Sequence, residues 1–219
     1  MSNSNPYIEK INDYPNIILP FKDDKVTDLE LELLNQRTKE SSSIICELGM
    51  GSGSHLIQLA QQSPSTLFIG FEIRFKRIYS CANQANKLGI NNILLLRTYG
   101  QKMFELLAPM TLTGTYVNFP DPWAKRRWHK HRLINSDFIK KLAQITKPQG
   151  FFSFKTDHVE YFDEVLKVLS ANKSFTISRQ TLDLHKSEYN VGNVLTEFEK
   201  LFISKGLPAN YLQAIKIGD

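Results

Sequence analysis

Residues 43–62, SIICELGMGSGSHLIQLAQQ, run from a short apolar stretch through three spaced glycines into a segment with helical periodicity. The stretch SIICEL predicts a buried strand, and the apolar residues Leu56, Leu59 and Ala60 predict a helix over 53–62. Glycines between a strand and a helix let the backbone turn tightly and approach a ligand closely. The segment therefore predicts a strand, a ligand-binding loop and a helix in succession.

The alternation of strands and helices continues along the chain. Further strand-like segments occur at 66–73, 92–97, 114–119 and 150–156, and further helix-like segments at 74–89, 101–108, 136–147 and 158–170. Two late strand-like segments, 174–181 and 196–206, are joined by a polar loop. This order predicts an α/β fold with a doubly wound, mostly parallel sheet. We expect the last two strands to be antiparallel, because parallel neighbours need a crossover connection.

Composition places the chain among ordinary globular proteins, with 42% hydrophobic and 22% charged residues. The first ten residues have neither the basic nor the apolar region of a secretory signal. No apolar run approaches the roughly 18 residues that a membrane helix needs, so we expect no membrane partner. Cys46 and Cys81 show no spacing typical of a metal site or a disulfide framework. We therefore expect no metal and a reducing cytoplasm.

Positive charge is concentrated in one segment, NFPDPWAKRRWHKHR, residues 118–132. The whole chain has 27 Lys and Arg against 22 Asp and Glu, and five of these bases but one acid lie in this segment. A local basic patch on an otherwise balanced protein favours a polyanionic partner, of which nucleic acid is the usual one. A solvated loop with incidental charge is the alternative.

Acidic residues stand where two of the predicted parallel strands end, the edge at which such sheets bind ligands. Glu47 precedes the spacing G-x-G-x-G, which differs from the G-x-G-x-x-G of dinucleotide-binding proteins. A buried acid there suits a positively charged group, such as the amino group of S-adenosylmethionine. Glu72 ends the second strand and suits the hydroxyls of a ribose.

Further polar residues follow the later strands. Asp121 lies between Pro120 and Pro122, which fix the backbone on both sides of it. A stiff loop of this kind suits a pre-organised catalytic acid, although a rigid turn with a capping Asp is the alternative. Asp157 ends the fifth strand, and the segment 196–199 opens the seventh. In a doubly wound sheet, both would border the same crevice as Asp121.

In combination, these motifs resemble the bacterial tRNA (guanine-N7-)-methyltransferase family, which has the class I S-adenosylmethionine-dependent fold. The motifs appear in the family's order as ELGMGSG (47–53), FIGFEI (68–73), PDPWAKRRWHKHRL (120–133), FKTDHVEYFDEVL (154–166) and TEFEKLF (196–202). The resemblance spans roughly 44–206. It implies a Rossmann-like sheet of seven strands in the order 3-2-1-4-5-7-6, mostly parallel with strand 7 antiparallel, and helices on both faces.

The resemblance also implies an activity, which is methyl transfer from S-adenosylmethionine to N7 of a guanosine in tRNA, at position 46. Asp121 is implied as the catalytic residue. The implied cofactor-binding residues are Glu47, Gly49, Gly51, Gly53, Glu72, Tyr99, Gly100 and Asp121. The implied substrate-binding residues are Lys125, Asp157, Thr196, Glu197, Phe198 and Glu199. The implied RNA contacts are Arg126, Arg127, Lys130 and Arg132.

The chain departs from the family pattern at two places. Tyr99 and Gly100 stand where the family has Asp or Asn followed by Ala, near the adenine of the cofactor. In the basic segment, Trp128 stands where His is usual, and His131 where Arg is usual. Trp128 brings an aromatic ring on which a base could stack.

At 219 residues the chain fits one domain with an appendage, so we expect an N-terminal extension over 1–40 and a methyltransferase domain over 41–219. The extension predicts a helix over 26–40 with Thr27 or Asp28 as its N-cap. An RNA contact and a lid are both open roles for it, and a monomer and a homodimer are both open for the protein.

Three other functions compete with methylation at N7. FPDPW is similar to the (D/N)-P-P-(Y/F/W) motif of methyltransferases that act on exocyclic amino groups, but Asp121 interrupts the proline pair. An RNA-binding protein with a vestigial cofactor fold would not need Glu47, the glycine loop and Glu72. A small-molecule methyltransferase would leave the basic segment without a role.

Overall fold

The computed structural model describes residues 5–21 and 25–218, so residues 1–4, 22–24 and 219 lie outside the described part of the chain. Of these eight positions, the seven at 1–4 and 22–24 belong to the extension predicted over 1–40. The chain divides into two compact units, Met1–Leu106 and Leu107–Asp219.

Four parallel strands and five helices make up the described part of the first unit. The strands are β1 (Ile18–Leu19), β2 (Ser43–Leu48), β3 (Thr66–Phe71) and β4 (Ile93–Leu96). The helices are α1 (Tyr7–Lys10), α2 (Asp28–Lys39), α3 (Ser54–Gln62), α4 (Phe75–Lys87) and α5 (Met103–Leu106). The strands are neighbours in the order β1-β4-β3-β2. Every residue of β3 is buried, as expected for a parallel strand covered on both faces.

The apolar core of the first unit includes residues that the sequence assigned to the extension. Ile11 and Ile18 are almost fully buried and belong to the cluster that contains Leu56 of α3 and Ile78 of α4. Ile18 of β1 is also the parallel partner of Leu95 in β4. Residues 11–19 are therefore part of the packed body of the first unit.

The helix predicted over 26–40 is confirmed as α2, with Thr27 as its N-cap. The hydroxyl of Thr27 accepts a hydrogen bond from the backbone of Glu30, and the Glu30 carboxylate accepts one from the backbone of Thr27 at 2.8 Å. This reciprocal pair is a capping box. The other carboxylate oxygen of Glu30 accepts the N–H of Phe21 at 2.9 Å, which ties the preceding segment to the helix.

Four strands and three α-helices make up the described part of the second unit. The strands are β5 (Leu112–Asn118), β6 (Thr146–Thr156), β7 (Phe175–Thr181) and β8 (Asn210–Lys216). The helices are α6 (Ser136–Ile145), α7 (Val159–Ser170) and α8 (Glu197–Ser204), and a 3-10 segment spans Arg126–His131. The strands are neighbours in the order β5-β6-β8-β7, with β5 and β6 parallel and β8 antiparallel to both β6 and β7.

Two details of the predicted sheet are wrong. The described residues form eight strands and not seven, because β1 adds a strand beside β4. The segment 196–206, predicted as the seventh strand, contains the helix α8, and the antiparallel strand is β8, further along the chain. The helix forms because Thr196 and Glu199 make a second capping box ahead of apolar residues at helical spacing. The last two strands are antiparallel, as expected, but the partner of β7 is β8 (Asn210–Lys216) and not the predicted segment 196–206.

Among the helices of the described residues, none combines the length and the apolar character that crossing a membrane requires.

In the loop between β2 and α3, a side chain at one glycine would cause backbone strain alone, and a side chain at another would also clash with a neighbouring residue. Gly49 and Gly53 both have positive φ, 68° and 78°. A Cβ on Gly49 would meet nothing within 4 Å, whereas one on Gly53 would lie 2.1 Å from the Sγ atom of Cys81. We expect Gly49→Ala to lower the free energy of unfolding by about 1–2 kcal/mol through strain alone. Gly53→Ala should lower it by about 1–3 kcal/mol more through overpacking, as measured by urea denaturation. Equal losses in the two variants would contradict this packing.

Candidate active site

The loop after β2 has an unusual backbone that only glycine adopts without strain. Gly49, Gly51 and Gly53 all have φ between 61° and 78°. The N–H groups of Gly49 and Met50 donate to the carbonyl of Phe71 at the end of β3, at 2.9 and 3.1 Å. Gly53 is the N-cap of α3. The loop is thus fixed between the ends of two strands and the partly positive N-terminus of a helix.

Glu72, which directly follows β3, holds this loop in place through hydrogen bonds. Its side chain is buried, and its Oε2 atom accepts the N–H of Gly51 at 3.1 Å, while Oε1 accepts the N–H of Arg74 at 2.9 Å. Each carboxylate oxygen has two acceptor positions. Glu72 can therefore hold the loop and still accept hydrogen bonds from the hydroxyls of a ligand.

Glu47, near the end of β2, is 2% exposed and lies against His55 of α3. The Nδ1 atom of His55 is 3.1 Å from Oε2 of Glu47. Burial raises the pKa of the Cys81 thiol, and the charge of Glu47 raises it further, so Cys81 stays a neutral thiol. His55 belongs to none of the motifs recognised in the sequence. The sequence shows only a histidine two residues after the last glycine, at the start of an amphipathic helix.

Tyr99 and Gly100 follow β4. Tyr99 is 56% exposed, and a Cβ on Gly100 would lie 3.0 Å from the Cβ of Leu48 in β2. Because β2, β3 and β4 are parallel, their carboxyl ends lie along one edge of the first unit. The predicted cofactor residues of this unit, Glu47, the three glycines, Glu72, Tyr99 and Gly100, are all found at that edge.

In the second unit, the loop after β5 begins with strained backbone. Phe119 and Trp123 have φ of 50° and 45°, values that large side chains adopt only where their surroundings impose them. The N–H of Phe119 donates to the carbonyl of Lys155 at 2.8 Å, and its ring packs against Phe198 and Phe202. Between these strained residues, Asp121 is exposed.

The far end of the loop is anchored by a buried arginine. Arg132 is 4% exposed, and its Nε donates to the carbonyl of Pro122 at 2.7 Å. Its Nη1 lies 2.5 Å from Oε2 of Glu164 on α7, and its guanidinium lies over the ring of Tyr161. We predicted Arg132 as an RNA contact. In the structure its guanidinium is buried against Glu164 and anchors the loop, and its contact with RNA stays a prediction.

The remaining cations of the loop surround an aromatic side chain. The Nζ atom of Lys125 lies 5.0 Å and the Cζ atom of Arg127 lies 4.9 Å from the centre of the Trp128 ring. The same ring meets Trp123 edge-on at 6.1 Å, and His131 packs on Trp123 at 5.2 Å. Trp128 and His131 therefore build an aromatic cluster that supports two of the cations. Lys125, Arg126, Arg127 and Lys130 are all exposed.

Glu199, predicted to bind substrate, is 0% exposed. Its Oε2 accepts from Lys155 Nζ and the backbone of Thr196, both at 2.9 Å, and its Oε1 accepts from Asn193 at 2.9 Å. His185 lies 3.4 Å from the same Oε1 atom. Burial raises the pKa of Glu199, but the charge of Lys155 and the hydrogen bonds of Thr196 and Asn193 outweigh it, and the net shift is downward.

Glu199 is therefore an ionised anchor for the start of α8, and its binding of substrate stays a prediction. Thr196, its capping partner, is also buried. Four other predicted substrate residues in this unit are exposed to solvent: Lys125, Asp157, Glu197 and Phe198. Asp157 follows β6 directly, and Glu197 and Phe198 open α8.

Comparisons with known proteins agree with these features. The family model described as "Putative methyltransferase" matches residues 41–212 of the chain. The chain is 36% identical over 183 residues to the tRNA (guanine-N(7)-)-methyltransferase of Mycoplasma pneumoniae, which covers 82% of this chain and 87% of that protein. It is 32% identical over 197 residues to the enzyme of the same name from Mycoplasmopsis pulmonis, which covers 88% of this chain and 96% of that protein.

A longer relative contains the chain as a part. The chain is 37% identical over 217 residues to a bifunctional glycosyltransferase/methyltransferase of Fusobacterium nucleatum, which covers 99% of this chain. The chain spans only 33% of the length of that protein.

Solved structures show the fold. The 16S rRNA methyltransferase KamB has a TM-score of 0.63 at 16% identity, covering 88% of this chain and 94% of that chain. An rRNA methylase from Streptococcus thermophilus has a TM-score of 0.56 at 14% identity, covering 88% and 98%. The fold is the Rossmann-like fold of class I methyltransferases, and the relatives and the family model show that the chain belongs to the tRNA (guanine-N7-)-methyltransferase family.

Proposed function

We propose that this protein transfers a methyl group from S-adenosylmethionine to N7 of a guanosine in tRNA, giving 7-methylguanosine. The observation that carries the proposal is the loop after β5, where an exposed Asp121 is followed by four exposed cations. Relatives that the chain covers almost completely have names that state the same reaction. We place this activity in the cytoplasm, with tRNA as the partner.

The carboxyl edge of the first unit has the chemistry to bind S-adenosylmethionine. Glu47 supplies a buried negative charge for the amino group, and Glu72 supplies acceptors for the ribose hydroxyls. The N-terminus of α3, which follows the glycine loop, offers a partial positive charge to a carboxylate. The exposed ring of Tyr99 is available to stack on the adenine. We assign Gly100 to this site as well, where its lack of a side chain fits it against Leu48.

The reaction at N7 needs little proton chemistry. S-adenosylmethionine supplies a methyl group on a sulfonium, which an in-line nucleophile can attack. Guanine N7 has a lone pair and no proton, so no general base is required at that atom. The purine becomes positively charged, and a fixed carboxylate stabilises that charge. We assign this role to Asp121, because strained and proline-framed backbone holds it while its side chain remains exposed.

Binding of the base and of the RNA backbone falls to exposed groups of the second unit. Asp157 and Glu197 can accept hydrogen bonds from N1–H and the exocyclic amino group of guanine, and Phe198 offers a ring for stacking. Thr196 and Glu199 act through the position of α8. Lys125, Arg126, Arg127 and Lys130 meet phosphates.

The geometry of the grooves in double-stranded RNA limits where the target guanosine can lie. In an A-form stem, N7 faces a deep and narrow groove that side chains do not enter. The target guanosine therefore lies in a bent or looped region, or leaves its stack before it reacts. We propose position 46 of the variable loop as the target.

Asp121→Ala should remove most methyl transfer while leaving the fold and cofactor binding largely intact. We expect turnover to fall by at least about 100-fold, as for the loss of other pre-organised electrostatic groups. The measurement is transfer of labelled methyl groups to unmodified tRNA at saturating substrate. Asp137→Ala, at an exposed aspartate of α6, is the matched control and should keep normal turnover. Normal turnover in Asp121→Ala would rule out the assigned role.

Neutralising Lys125, Arg126 and Arg127 together should weaken tRNA binding and flatten its salt dependence. Each phosphate contact contributes about 0.7–0.9 to the slope of log Kd against log salt, so we expect the slope to fall by about 2. A matched triple variant replaces the exposed residues Lys39, Lys87 and Lys140 with alanine. If both triple variants lost affinity and slope equally, the effect would be one of net charge and not of this loop.

The target position is tested with two tRNA transcripts that differ only at residue 46. We expect methyl incorporation into the transcript with guanosine at that position and little incorporation into the transcript with adenosine. Equal incorporation into both would place the target at another guanosine.

A further inference from the structure

A buried pair in the first unit spans the glycine loop. Glu47 lies near the end of β2 and His55 is the second residue of α3, so the pair brackets Gly49, Gly51 and Gly53. The side chains of Glu47 and His55 are 3% and 4% exposed, and Nδ1 of His55 lies 3.1 Å from Oε2 of Glu47. The proposed function gives Glu47 a ligand but does not by itself explain the histidine.

Electrostatics explains why this position needs a polar side chain. A buried carboxylate is costly unless hydrogen-bond donors or positive charges compensate for lost water. Cys81 faces Glu47 from α4 but stays a neutral thiol, since burial and the charge of Glu47 raise its pKa. The imidazole of His55, whose Nδ1 atom lies 3.1 Å from Oε2 of Glu47, is a polar group in direct contact with the carboxylate and limits the positions that this carboxylate can take.

Packing makes His55 a rigid support. A Cβ on Gly53 would lie 2.1 Å from the Sγ atom of Cys81, so the start of α3 is pressed closely against α4. Leu56 and Ile57, the next residues of α3, are also fully buried in the core. His55 therefore has little freedom to move away from Glu47.

We propose that His55 is a positioning residue that orients the Glu47 carboxylate toward the amino group of S-adenosylmethionine. The proposal rests on the proposed function, because it assigns the cofactor's amino group to Glu47. It adds to that function a residue outside the motif ELGMGSG (47–53). Through Glu47, His55 sets the affinity for the amino acid part of the cofactor.

Two ligands isolate this effect without RNA. S-adenosylhomocysteine carries the amino acid part, whereas 5′-methylthioadenosine lacks it and keeps the adenosine. Calorimetric titration of His55→Ala should show about tenfold weaker binding of S-adenosylhomocysteine, the size expected when a polar contact with a charged group is lost. Binding of 5′-methylthioadenosine should change by less than about twofold.

Three further variants show which atom matters. His55→Asn places an amide N–H near the position of Nδ1 and should restore most of the affinity for S-adenosylhomocysteine. His55→Gln places its amide nearer to Nε2 and should not restore it, a comparison that remains available if the alanine variant fails to fold. Gln58→Ala removes a hydrogen bond to the Ser54 carbonyl within the same helix and should leave both affinities unchanged.

A double-mutant cycle tests whether His55 acts through Glu47. In the Glu47→Gln background, His55→Ala should weaken S-adenosylhomocysteine by less than about twofold. The inference is overturned if His55→Ala weakens binding of both ligands equally, leaves both affinities unchanged, or causes the same loss of affinity in either background.

A wild-type chain that binds neither ligand contradicts the proposed function and this inference with it. Cofactor binding with this pattern but without methyl transfer to tRNA contradicts the proposed function alone.

Discussion

Both units depend on one constraint, which is that a carboxylate buried away from water needs hydrogen-bond donors or positive charges beside it. Glu30, Glu47, Glu72 and Glu199 are each at most 8% exposed. A carboxylate without water must find donors or positive charges, and in this chain it finds them on irregular backbone or at the start of a helix. Glu30 joins Phe21 to α2, Glu72 joins Gly51 to Arg74, and Glu199 joins Lys155 to the start of α8. Loops that carry functional groups are thereby held at fixed places in their own unit.

In the second unit, the side chain that anchors the loop after β5 is different from the side chains to which the proposed function assigns a role. Arg132 is buried against Glu164 and fixes the loop after β5, while Asp121 and the cations from Lys125 to Lys130 stay exposed. Trp128 has an intermediate role, because its ring supports Lys125 and Arg127 and rests on Trp123. A loop with strained backbone at one end and a buried ion pair at the other can present charges in a nearly constant arrangement, which favours positioning of a substrate.

Local patterns were sufficient for most of the fold. The strand, glycine loop and helix at 43–62 were predicted and are confirmed as β2 and α3, and Thr27 was predicted as an N-cap. The same T-x-x-E pattern occurs at Thr196, within the segment 196–206 that we predict as a strand, and there it starts α8. The sequence therefore contains a local signal for this helix as well.

Long-range partners explain what sequence patterns did not reveal. Arg132 lies within a run of exposed cations, and only the position of Glu164 on α7 distinguishes it from Arg127. Glu199 lies beside the exposed Glu197, and only Lys155, 44 positions earlier, determines that Glu199 is an internal ion-pair partner. His55 likewise gains its significance from Glu47 across the glycine loop. Such contacts depend on tertiary structure, which composition and spacing do not encode locally.

The atom that receives the methyl group distinguishes the proposed function from methylation of an exocyclic amino group. Borohydride–aniline treatment cleaves RNA at 7-methylguanosine and does not cleave at guanosines methylated on the exocyclic amino group. The most direct measurement is therefore to treat unmodified tRNA with the purified chain and S-adenosylmethionine, and then to map cleavage along the RNA. We predict a single new cleavage that requires S-adenosylmethionine. Incorporation of methyl groups without new cleavage would show transfer to a different atom and would contradict the proposed function.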